Sequence, residues 1–167
     1  MKLLDIYFNR PVAWDFGIAG ALAIVGGFFL KKQYLAIPTV DHLYSTVSDM
    51  STISLTMAGF ILTLVTVLIS FKSTNKIDKN NVQESDKIFD LFFASTLYFR
   101  TIKLLNNAIK SLAFIALMGY ILKLGLKSST AFILFLYSMF GIAVIILTVI
   151  RCVVILTTIV KMQEEKT

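Results

Sequence analysis

A chain of 167 residues that is 57% hydrophobic and 16% charged, with a mean hydropathy of +0.80, lies outside the range of soluble domains, whose apolar share is about 45–50%. Sixteen Lys and Arg against ten Asp and Glu leave a net charge of +6; basic loops retained on the cytoplasmic side and anionic lipid headgroups explain it without nucleic acid. A single cysteine, Cys152, excludes an internal disulfide and a Cys-rich zinc site.

A hydrocarbon core of about 30 Å needs about 20 apolar residues in a helix, and four runs reach that length: 11–30, 51–71, 104–124 and 130–150. The expected fold is all-α, a polytopic membrane protein whose residues 1–167 form one four-helix transmembrane domain. The N-terminus, the middle loop and the C-terminus then share one side, with Lys2, Arg10, Lys72, Lys76, Lys79, Lys87, Arg100, Lys103, Lys161 and Lys166; the opposite loops hold only Lys31, Lys32, Lys123 and Lys127. Both termini are expected in the cytoplasm and the chain in the plasma (inner) membrane.

In chain order, Pro11 suits a first helical position. Asp15 shortens the apolar run before it too much for a signal peptide, so residues 11–30 read as a retained span. Within it Ala13, Gly17 and Ala21 form one small face, and Ala19, Ala23 and Gly27 another. Pro38 then breaks the chain, and Thr39 can cap a helix that starts near Val40, well before the second span. Along that helix Ser45, Asp49, Thr52, Thr56, Gly59, Thr63, Thr66 and Ser70 recur in alternating steps of four and three. They make one narrow seam, which either packs tightly against another helix or lines a pore.

Residues 72–85 are polar and read as a cytoplasmic loop. From Asp86 the pattern turns helical, so a helical cytoplasmic extension within 72–103 is expected before the third span. Its Phe89, Phe92, Phe93 and Phe99 form either a docking surface for a soluble cytoplasmic partner or a face buried against lipid or the C-terminal helix. Arg100, Lys103, Asn107 and Lys110 form a basic stripe on the third helix. It is either a vestibule that attracts anions or an ordinary solvated face. A turn at 125–129 closes a hairpin, and the fourth apolar run, 130–160, contains Arg151. Either that helix holds Arg151 in the membrane, or it leaves the bilayer there and packs its end on the extension. Counted in residues from their span ends, Asp15 and Arg151 lie at similar depth. They either pair, within or between subunits, or reach the interface separately.

Enzymatic chemistry finds no support. The one histidine, His42, sits outside the membrane, far from a serine nucleophile within it; no other span supplies a second carboxylate for Asp15, and no phosphate-binding glycine loop is present. No cofactor and no metal is expected. Four spans with short loops enclose little by themselves, so a pore requires several copies. The expected function is a small homo-oligomeric, pore-like or membrane-perturbing subunit whose partners are the lipid bilayer and its own copies. A defence-system effector is compatible with that class, and a membrane anchor or sensor for a soluble partner is the alternative.

Overall fold

The computed structural model describes residues 10–34, 36, 38–75, 96–125 and 131–164. Four helices account for nearly all of them: α1 (Pro11–Lys31), α2 (Val40–Asn75), α3 (Thr96–Gly125) and α4 (Ala131–Glu164). Each is long and apolar enough to cross a membrane, and among the described residues there is no strand. Pro11 occupies the first turn of α1, where its missing N–H loses no bond. The Thr39 carbonyl accepts the Leu43 N–H at 3.1 Å, so α2 begins just after Pro38 and runs from well before the predicted span to beyond its end. Likewise α3 starts ahead of residue 104; the rest of the expected extension, 72–95, lies outside the described residues from position 76 onward. Helix α4 continues unbroken through Arg151.

The end of α1 shows how the chain reverses. Gln33 takes a left-handed conformation (φ 59°), the Gln33 N–H donates to the Leu30 carbonyl at 3.0 Å and the Tyr34 N–H to the Phe29 carbonyl at 3.1 Å. The Tyr34 ring meets Phe29 edge-on at 6.2 Å. Together these satisfy the last carbonyls of the helix and add the apolar contact that such a cap needs.

Packing pairs α2 chiefly with α3, and α1 chiefly with α4, while α4 also touches α2 and α3. The core row of α2 is Leu43, Val47, Met50, Ser54, Ala58, Ile61 and Val65, all buried. Met50, Ala58, Ile61 and Val65 share one cluster with Leu105, Ala108, Leu112 and Ile115 of α3 and Val144 and Cys152 of α4, while Leu43 and Val47 share a second with Leu134 of α4. Large apolar side chains point outward on every helix, among them Ile24, Phe60, Leu117 and Ile146, as a lipid-facing surface requires. Of the two small faces on α1, Ala19 is buried and Gly27 lies against Leu136 and Phe132 of α4, while Ala13, Gly17 and Ala21 are exposed.

Close approach depends on two glycines. A Cβ on Gly119 would overlap Ser51 Oγ, and one on Gly141 would overlap the flexible end of Met50. Ser51 is fully buried and donates to the Val47 carbonyl at 2.8 Å, so it has little freedom to retreat. Gly119→Ala is therefore expected to cost about 1–3 kcal/mol as an overpacked contact. Because the same Cβ would stand an ordinary 3.5 Å from Ser51 Cβ but a tight 3.3 Å from Tyr137 Oη, adding Ser51→Ala should recover part of the loss. A denaturant titration of the two single variants and the double variant in detergent checks this, and additive losses would contradict it.

Candidate functional site

Helix α2 carries the site because it has two opposite faces. Its buried row and the seam of Ser45, Asp49, Thr52, Thr56, Gly59, Thr63, Thr66 and Ser70 lie about half a turn apart at 3.6 residues per turn, and every seam residue is exposed. Among the described residues the seam therefore lies outside the buried core of its own chain, and a Cβ on Gly59 would meet no atom within 4 Å. Its hydroxyls are bonded inward. Thr52, Thr56, Thr63 and Thr66 each donate to the carbonyl four residues back, at 2.8–3.1 Å, which leaves oxygen lone pairs on the outer surface.

Two ridges flank this furrow. Ile53, Phe60 and Val67 follow one another at intervals of seven on one side, and Leu55, Leu62 and Ile69 do so on the other; all six are exposed, by 44–59%. The result is a shallow polar furrow between two apolar walls, with the seven-residue repeat that lets helices supercoil along one another. The sequence reading found the furrow and missed the ridges, although their spacing was there to be counted. In an apolar helix they stand out only once the buried row is known.

Asp15 and Arg151 are brought together. Arg151 Nη1 donates to Asp15 Oδ2 at 2.5 Å, with the two side chains 0% and 1% exposed. The pair ties α1 to α4, at a point where a lone charge would be costly. Arg151 Nε and Nη2 have no hydrogen-bond partner, nor do Ser54 Oγ and Thr148 Oγ1, which are also buried. The mostly apolar bundle interior thus also holds several polar groups, a feature that hydropathy does not reveal.

Comparison with known protein families, with curated proteins and with solved structures finds no match.

The basic stripe is not joined to the buried pair. Arg100, Lys103 and Lys110 are exposed and Asn107 is half-buried, so Lys110 stands on the outside of the bundle, clear of the core that holds Asp15. Of the phenylalanine cluster, Phe99 is exposed and packs edge-on against Tyr98 at 5.5 Å; Phe89, Phe92 and Phe93 lie outside the described residues. Beyond Arg151, Ile155 is buried while Val153 and Val154 are exposed, and the 88–95 segment expected to cover them is also outside the description. Among the described residues no group of His, Cys, Asp and Glu could hold a metal ion.

Proposed function

We propose that this chain is an integral protein of the plasma (inner) membrane, with both termini cytoplasmic and α3 preceded by a helical cytoplasmic extension, and that several copies assemble into a pore lined by α2. One observation carries this reading: the Ser/Thr/Gly furrow faces away from the chain's own core and has a ridge of large apolar side chains on each side. A helix in a pore-forming ring needs that division, with small polar residues toward the axis and apolar residues toward a neighbour on either flank. A helix facing only lipid has no use for the furrow, and one packed inside a monomer would bury it.

The wall so formed is neutral, with hydroxyl oxygens that accept hydrogen bonds from water and no charged ring along the bilayer part. Such a path conducts by holding water, and its opening would dissipate ion gradients, which suits a membrane-perturbing effector of a defence system. Native mass spectrometry of the protein in lipid nanodiscs tests the assembly. A closed ring of several copies is expected; a monomer would overturn the reading, because one bundle leaves no axis for the furrow to line.

A further inference from the structure

We infer that neighbouring copies in this assembly are joined through a charged contact between Asp49 of one copy and Lys123 of the next, at the entrance of the α2 furrow. The inference rests on the pore reading and specifies which surfaces meet. Around α2, Ser48 heads the ridge that continues as Leu55, Leu62 and Ile69, while Asp49 lies at the far edge of the furrow, toward the ridge that contains Ile53. Lys123 Nζ, from the last turn of α3, donates to Ser48 Oγ at 3.1 Å. The Lys123 ammonium of α3 and the Asp49 carboxylate of α2 therefore stand on either side of the furrow's entrance, about 100° apart around α2. Both are exposed, and neither is ion-paired among the described residues.

A rotation that closes a ring brings one shoulder of each copy against the opposite shoulder of the next, at equal height. Each Asp49 then meets a neighbour's Lys123, and every pair in the ring is satisfied at once. The shoulder that bears Asp49 is also hollow. A groove of about 240 Å³ between α2 and α4 is lined by Asp49, Met50, Ile53, Ile142, Ile145 and Ile146, at the level where the adjacent copy would present Leu55. Charge and shape thus select the same occupant, a second copy, and the same orientation. Like charges would face each other if two Asp49 shoulders met, so the contact also excludes a face-to-face dimer.

The test uses two full-length chains expressed together, one tagged and carrying Asp49→Cys, the other carrying Lys123→Cys. The native Cys152 is buried, so oxidation in the bilayer should yield a disulfide-linked dimer of one tagged and one untagged chain. Asp49→Cys paired with Ile24→Cys, on the exposed face of α1, should yield none. As an independent measurement, Lys123→Asp should weaken subunit association about two- to fivefold, as expected for a partly exposed pair, and adding Asp49→Lys should restore it. A ring seen by mass without the Asp49–Lys123 crosslink would overturn this contact and leave the pore reading standing. A monomer by mass would overturn both.

Discussion

Asp15→Asn is expected to destabilise the protein by about 3–5 kcal/mol, the usual cost of stripping one partner from a buried ion pair. The substitution keeps the shape of the side chain and removes its charge. Arg151 would then be a fully buried guanidinium facing a neutral amide, and its Nε and Nη2 already have no hydrogen-bond partner. None of its N–H groups can recover water without opening the α1–α4 contact. The double variant Asp15→Leu/Arg151→Met should be far more stable than Asp15→Asn, because it removes both charges and leaves apolar side chains of similar size. Denaturant titration in mixed micelles separates the cases. A loss below about 1 kcal/mol for Asp15→Asn would place the pair among exposed ion pairs and contradict the burial on which the argument depends.

The second large effect is on conduction. Thr63→Lys places one ammonium per copy midway along the furrow, where the parent offers only a hydroxyl oxygen. A unit charge about 4 Å from a passing ion acts with about 1 kcal/mol in bulk water and about 4 kcal/mol at an effective dielectric constant of 20. Each 1.4 kcal/mol is a factor of ten, so with several copies contributing, cation flux should fall at least about tenfold relative to anion flux. The same change at Leu62, one residue away on a ridge, should leave ion preference unaltered in those rings that form. Reversal-potential measurements in planar bilayers read the difference directly. Equal ion preference in the Thr63→Lys variant and the parent would remove Thr63 from the conduction path.

The sequence made some of this legible and not the rest, for reasons that lie in the solvent. The four helices could be read from apolar length because a bilayer demands it. The equal depth of Asp15 and Arg151 could be counted along the spans, and the two side chains do meet. The early start of α2 at Val40 was legible from the break at Pro38 and the unbroken run after it, and the passage of α4 through Arg151 from an apolar run longer than one crossing. The direction of the seam was not legible at all. In a soluble helix the apolar stripe points inward, whereas here both the core and the outer surface are apolar, and Ser51, Ser54 and Thr148 are buried while Ile53, Phe60 and Leu62 are exposed. The seven-residue spacing of the two ridges could be counted, but in a helix this apolar it marks a face only once the buried row is known.

In the proposed assembly the furrow of α2 meets water along a shared axis, and cysteine accessibility tests this most directly. Cys152 is the sole native thiol and is buried, so single cysteines can be placed in turn at Thr56, Thr63, Phe60 and Leu62 and exposed in bilayers to a charged thiol reagent that does not cross lipid. Rapid labelling at Thr56 and Thr63, with Phe60 and Leu62 protected, is the predicted result. Protection of Thr56 and Thr63 to the same degree as Leu62 would contradict the account, because the furrow would then face lipid or a sealed helix contact.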